Sequence, residues 1–172
     1  MIDYILFSAS QAQQQMESLS GLLQACVADG ASVGFTDAAD REAIRHFWQQ
    51  RIPGLAAGDS QLFVACQQET ILGTVMINYS AMPNGRHRAE ISKLLVHPQA
   101  RRQGIARTLM QCAEQRARAE GKTLLVLDTR SGDVARDLYR SLDWQVAGEI
   151  PFYAESTAGV LDATTLMYKV LV

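Results

Sequence analysis

Lys93-Leu94-Leu95-Val96-His97-Pro98-Gln99-Ala100-Arg101-Arg102-Gln103-Gly104-Ile105-Ala106-Arg107 is the stretch from which the rest of this 172-residue chain is read. An apolar run rich in branched side chains ends at His97-Pro98, a short basic loop follows, and Gly104 opens a segment whose apolar residues recur at helical spacing. The spacing predicts a strand, a turn and a helix N-terminus. Unpaired amides of a first helical turn, together with the helix dipole, favour an anion there. Gly104 and the small Ala106 let the anion approach the backbone, and Arg101 and Arg102 add charge and donors. The candidate phosphate cradle comprises Arg101, Arg102, Gln103, Gly104, Ile105, Ala106 and Arg107. Taken alone, these residues also fit a surface turn with solvated arginines, so the flanking segments decide.

Downstream, Ile105, Leu109, Cys112, Ala113 and Ala117 predict the buried stripe of a helix that ends at Gly121. Residues 124–127 form a short buried strand that stops at Asp128-Thr129. Gly132-Asp133 then starts another helix, with Val134, Leu138 and Leu142 along one face. Residues 144–150 and 164–172 are closing strands, separated by a long connection over 151–162. Upstream, Leu94, Leu95 and Val96 break the alternation of a half-exposed strand, which fits burial on both faces or a bulge that redirects a carbonyl. A turn at Met82-Pro83-Asn84-Gly85 precedes that strand, and residues 62–66 and 71–79 form a hairpin. A first strand over 2–8 leads to a helix over 11–28 capped by Ser8 or Ser10. A second helix starts at Asp37 or Asp40, carries Ile44, Phe47 and Trp48 as core residues, and stops at Pro53-Gly54.

A hydrophobic content of 48% over this length supports one substantial core and a single domain over residues 1–172. A net charge of −2 and a pI near 5.9 argue against nucleic-acid binding, so the local basic loop serves something small. Neither a secretory leader nor a bilayer-spanning apolar run is present, and the expected location is the cytoplasm. Cys26, Cys66 and Cys112 are far apart without a Cys-x-x-Cys pair, which suggests buried small hydrophobes, not disulfides or zinc ligands. The element order is a mixed α/β pattern with helices covering the faces of one sheet.

The spacing Arg101-x-x-Gly104-x-Ala106 resembles the acetyl-CoA pyrophosphate loop of the GNAT superfamily of N-acetyltransferases, and the flanking elements come in that family's order. Within it, Gly30-Ala31-Ser32-Val33-Gly34-Phe35, Pro83-Asn84-Gly85, Arg88-Ala89-Glu90 and Leu127-Asp128-Thr129 are similar to segments of the tabtoxin resistance acetyltransferase group. The resemblance implies a mostly antiparallel central sheet with helices on both faces, acetyl-CoA as cosubstrate and no metal. It also implies a small-molecule amine as acceptor, such as a β-lactam toxin or an amino-acid-like compound, with a role in antibiotic resistance. A homodimer is left open.

Transfer from a thioester to an amine needs a neutral amine, a polarised carbonyl and a proton for the departing thiolate. A primary amine with a pKa of about 10.4 is protonated at neutral pH, so an acid residue must take its proton. Glu90 and Asp128 are the candidates from position, and an ion pair with Arg88 or a turn cap are the ordinary uses of the same residues. By resemblance the two acids share the handling of the amine, and Tyr139 is the proton donor to the thiolate. Leu94, Leu95 and Val96 offer main-chain groups to the pantetheine arm and the thioester oxygen. Phe35, in the glycine-flanked loop, is a candidate acceptor contact. A CoA-binding regulatory or interaction module without turnover is the alternative reading.

Overall fold

The structure, a computed structural model, describes residues 1–172. Its element order is β1 (Asp3–Phe7), α1 (Ala9–Gln14), α2 (Met16–Ala28), α3 (Arg41–Ala57), β2 (Ser60–Gln67), β3 (Thr70–Tyr79), β4 (Arg88–Val96), α4 (Ile105–Ala119), β5 (Leu124–Arg130), α5 (Ala135–Ser141), β6 (Gln145–Glu155) and β7 (Leu161–Val170). The seven strands form one sheet in the order β1-β2-β3-β4-β5-β7-β6. All pairings are antiparallel except β4 with β5. That exception is required, because α4 carries the chain across the sheet between those two strands.

Alternation in the strands feeds two cores, one on each face. Ala89 and Ile91 of β4 and Leu125 and Leu127 of β5 point to the face covered by α4 and α5, where they meet Ile105, Leu109, Ala113, Tyr139 and Trp144. Leu62, Val64, Met76 and Leu95 point to the other face, beneath Leu19, Leu23, Ile44 and Trp48 of α2 and α3. Gly73 permits the close approach of α4 to the sheet: a Cβ there would lie 2.7 Å from the Leu95 carbonyl oxygen and 3.1 Å from Ile105.

Several boundaries differ from the sequence expectation, each for a local reason. The first helix is two helices, since Ser8 caps α1 in a reciprocal box with Gln11 and the chain breaks at Gln15 before α2 begins. Pro53 does not stop α3, which runs on to Ala57 and ends where Gly58 takes φ 81. β5 does not stop at Asp128: pairing with β7 continues to Arg130 opposite Thr164, which places Asp128 inside a strand. The segment over 151–162 is not a long connection, because β6 continues through Pro151 to Glu155 as an irregular edge strand bulged around Phe152 (φ 53). Val134 lies outside the buried face of α5 at 84% exposure, and Tyr139 is the buried residue of that helix. Cys112 is half-buried; Met110 and Glu114 sit in the buried face of α4.

Candidate functional site

β4 and β5 begin as hydrogen-bonded neighbours and then part. Their register runs only from Arg88 opposite Leu124 to Glu90 opposite Val126, although the strands continue to Val96 and Arg130. The cause lies on the other side of β4. Between Met76 opposite Ser92 and Thr74 opposite Leu95, β4 carries one residue more than β3, so Lys93 is forced to φ 51 and the strand bends away. Thr74 Oγ1 donates to the Lys93 carbonyl at 2.9 Å and fixes the bulge. A wedge opens, and the β4 backbone facing it has no partner strand.

Two adjoining cavities fill the wedge. The larger, of about 590 Å³, runs past Leu94, Leu95, Val96, Arg101, Arg102, Gly104, Ile105, Ala106 and Arg107 to Leu138 and Tyr139. The second, of about 380 Å³, is lined by Ser92, Lys93, Asp128, Thr129, Tyr153 and Thr164. Leu94, Arg130, Asp133 and Tyr139 border both.

At the outer end, Gly104 caps α4 with φ 77, and open space surrounds its Cα. The amides of Ile105, Ala106 and Arg107 meet no acceptor in the protein. Asp29 at the end of α2 holds Arg101 at 2.6 Å, and Arg107 donates to Ser141 Oγ at 2.8 Å. Arg102 makes no ion pair. Gln103 is exposed and does not line the cavity, in contrast to its neighbours.

At the inner end, Asp128 accepts a hydrogen bond from Thr164 Oγ1 at 2.8 Å. Glu90 lies toward the start of β4 and borders a different cavity, of about 340 Å³, that it shares with Asp128 and Tyr153. Partial burial and the Asp128 charge raise the Glu90 carboxyl above its ordinary range, against the pull of Lys93. Tyr139, 6% exposed, packs its ring 6.1 Å from Trp144 and lines both cavities, and its hydroxyl has no hydrogen-bond partner in the protein. Burial, then the Asp128 and Asp133 charges, push its phenol well above the usual value, so it stays protonated.

Phe35 stands apart from the other candidates. It packs edge-on against Phe47 at 5.8 Å and lines neither wedge cavity, while its loop neighbours Ala31 and Val33 line both. Two site residues had no motif to reveal them. Arg130 donates to the Gly30 carbonyl at 3.1 Å and pairs with Asp133 at 3.0 Å, tying the α2–α3 loop to β5 between the cavities. Lys93 owes its place to the bulge, which the unbroken apolar run after it could have signalled. No group of three or more His, Cys, Asp or Glu side chains converges as a metal site. No helix is long and apolar enough to cross a membrane.

The fold matches yncA from Salmonella typhimurium, solved with its cofactor acetyl-CoA, at a TM-score of 0.80 and 18% identity over 100% of this chain and 95% of that one. It also matches the ribosomal-protein-alanine N-acetyltransferase from Brucella melitensis, at a TM-score of 0.79 and 19% identity over 98% and 99% of the two chains. A sequence profile of the Acetyltransferase (GNAT) family matches residues 21–144, and the chain belongs to that family. A 92-residue stretch, 52% of the chain, is 35% identical to N-acetyltransferase 8B of Rattus norvegicus. That match spans 41% of the rat protein, so the chain covers about two fifths of this relative's length.

Proposed function

We propose that this chain is an acetyl-CoA-dependent N-acetyltransferase, working in the cytoplasm as one domain over residues 1–172. It moves the acetyl group to a primary amine of a small molecule by direct attack in a ternary complex. The observation that carries this reading is the wedge between β4 and β5, with a phosphate cradle at one end and Asp128 beside a buried phenol at the other, Glu90 lying in the adjoining cavity that Asp128 also borders.

The free amides of Ile105, Ala106 and Arg107, with Arg101 and Arg102, would hold the pyrophosphate. Asp29 keeps Arg101 over the cavity until a phosphate competes for it. The unpaired backbone of Leu94, Leu95 and Val96 would hold the pantetheine arm and aim a donor at the thioester oxygen. Acetyl-CoA supplies the activated acyl group. Asp128 and Glu90 bind the ammonium of the acceptor and take its proton as the amine attacks. With its pKa raised, the Glu90 carboxylate is a better proton acceptor than an ordinary carboxylate, being nearer working pH. Tyr139 donates a hydrogen bond to the departing thiolate. Its raised pKa makes full proton transfer uphill, so solvent completes it.

An acetyl-cysteine route is disfavoured. Cys26 borders the larger cavity, but its thiol donates to the Val96 carbonyl and burial pushes it up to about 11. The similarity of the Arg88-Ala89-Glu90 and Leu127-Asp128-Thr129 segments to the tabtoxin resistance group supports an amino-acid-like or β-lactam-bearing acceptor and a detoxifying role. Thiol release from acetyl-CoA across a panel of small amines, with the product identified by mass, tests the reading. Amine-dependent release with an N-acetyl product is expected. Tight acetyl-CoA binding without release for any amine would replace the enzyme with a CoA-binding module.

A further inference from the structure

Helices cover only part of the sheet on the α2/α3 side. Every buried residue of the core there comes from α1, α2, α3, β2, β3 or β4, and none from β5, β7 or β6. Leu125 and Leu127 of β5 point to the opposite face, so alternation turns Val126 and Asp128 to the uncovered one. The register places Glu90 and Tyr168 on either side of Val126, and Leu166 opposite Asp128, so all five side chains share that face.

These residues line the cavity of about 340 Å³ that adjoins the wedge. Glu90 and Asp128 are its only charged lining residues, and no lysine, arginine or histidine borders it. Tyr153 reaches it because β6 is irregular. Between Ile150 opposite Thr164 and Ala154 opposite Asp162, β6 has Pro151, Phe152 and Tyr153 where β7 has Ala163 alone, and the resulting bulge sets Tyr153 on the border of this chamber and of the second wedge cavity. Asp128 also borders both, so the chamber is continuous with the site of transfer. Leu166 and Tyr153 are exposed, and water on this apolar floor would be released by any apolar body that covered it.

Resting on the N-acetyltransferase reading above, we infer that the acceptor is a primary amine on an uncharged apolar body, alkyl or aryl, which lies on Val126, Leu166 and Tyr168 beside Tyr153 while its ammonium meets Asp128 and Glu90. Two acids match an ammonium and repel an anion, and a carboxylate in this chamber would find no cation to replace its water. That separates the acceptor from the amino-acid-like class to which segment similarity points. Tyr153 adds ring area for the apolar body at the junction. In the transfer, the amine nitrogen bonds to the acetyl carbon as the C–S bond breaks, an acid takes the amine proton, and the thiolate leaves with CoA.

The test is a series of primary amines from ethylamine to hexylamine, with 2-phenylethylamine beside phenylalanine, each assayed for kcat/KM with saturating acetyl-CoA. The alkylamines all ionise near a lysine side chain, so the series varies only in apolar length. Each methylene that enters the chamber should raise kcat/KM about fourfold, and hexylamine should exceed ethylamine by about 10²-fold. 2-Phenylethylamine should exceed phenylalanine by about 10-fold or more, as for a charge left without a partner. In Leu166→Asn the hexylamine-to-ethylamine ratio should fall towards one, and a ratio taken within one variant cancels any general loss of fold or turnover. Leu166 lies inside β7, so Tyr153→Ser, on the exposed bulge, carries the measurement if Leu166→Asn does not fold. A flat series, phenylalanine preferred to 2-phenylethylamine, or a ratio unmoved by substitution overturns the inference and leaves acetyl transfer standing. A flat series together with a dimer in sedimentation that Leu166→Asn dissociates overturns it too, and gives the face to a second copy of the chain. Acetyl-CoA bound but no amine of any form acetylated overturns the N-acetyltransferase reading itself, and the apolar acceptor with it.

Discussion

Tyr139 serves two surfaces at once, since its ring packs in the core against Trp144 while the residue also lines both wedge cavities with its hydroxyl unpaired. Tyr139→Phe separates these duties. The ring stays, so the melting temperature should change little, while turnover should fall about 10-fold to 10³-fold, within the usual contribution of a positioned proton donor. The loss should appear in kcat more than in KM, which steady-state kinetics beside a thermal melt will resolve. Glu90 allows a prediction in pH. Its native pKa lies above the 4.5 of a free carboxyl, so through that window the native state binds more protons than the unfolded chain and stability falls as pH rises. Glu90→Gln should therefore melt higher than the parent protein at pH 7, and the advantage should shrink as the pH is lowered towards 4. Turnover should fall in the same variant by about 10² if Glu90 takes the proton. A variant that turns over normally would leave Asp128 alone in that role. Gly104→Val places a branched side chain at φ 77, where only glycine rests comfortably, and directs it into the phosphate end of the wedge. Calorimetry should record weakened acetyl-CoA binding.

At the scale of elements, the seating of α4 on β3 and β4 decides where the cradle sits. Gly73→Ala would drive a Cβ to 2.7 Å from the Leu95 carbonyl oxygen, which as backbone cannot swing aside, and against the buried methyls of Ile105 and Leu109. It should cost about 1–3 kcal/mol, as overpacking does. It should also weaken acetyl-CoA binding, because Ile105 carries both that contact and a cradle amide. Denaturant melts and calorimetry on one variant test the coupling. The strand–turn–helix of residues 93–107 was legible in sequence because strand apolarity, a proline exit and helical spacing are local signals. The break of alternation over Leu94, Leu95 and Val96 also announced the bulge as one of two options. What was hidden depended on partners distant in sequence. Nothing in Asp128-Thr129-Arg130 says that β7 will extend β5 past its acid, and nothing in Pro151 says that an edge strand tolerates a residue without an N–H. Pro53 lies on the exposed side of α3, where water can meet the carbonyl one turn back that it leaves unpaired, so the helix runs on past it. Lys93 and Arg130 became candidates only when the fold gathered them, since no spacing joins residues from β4 and β5.

Across the whole molecule, the buried carboxylate of Glu114 links three elements: it accepts from Trp144 Nε1 at 3.0 Å and from Lys169 Nζ at 2.8 Å. Glu114→Ala would strand a half-buried ammonium and a buried indole N–H, and should cost about 3–5 kcal/mol by chemical denaturation. That loss should be felt on the C-terminal side of the wedge, where β5, β7 and β6 form a separate ladder. The short register from Glu90 opposite Val126 back to Arg88 opposite Leu124, extended by the Thr123 amide donating to the His87 carbonyl, joins this ladder to β1–β4 by backbone hydrogen bonds, with α4 and α5 spanning the face behind. The seam between β4 and β5 is thus a natural line of partial opening, along which amides should exchange with solvent sooner than those of either ladder. A cosubstrate lying in the seam would replace the missing backbone partners, and at 100 times its dissociation constant it would add about 2.7 kcal/mol. Protease survival should then rise and fall with acetyl-CoA supply, so the lifetime of the protein would itself report the abundance of the molecule it consumes.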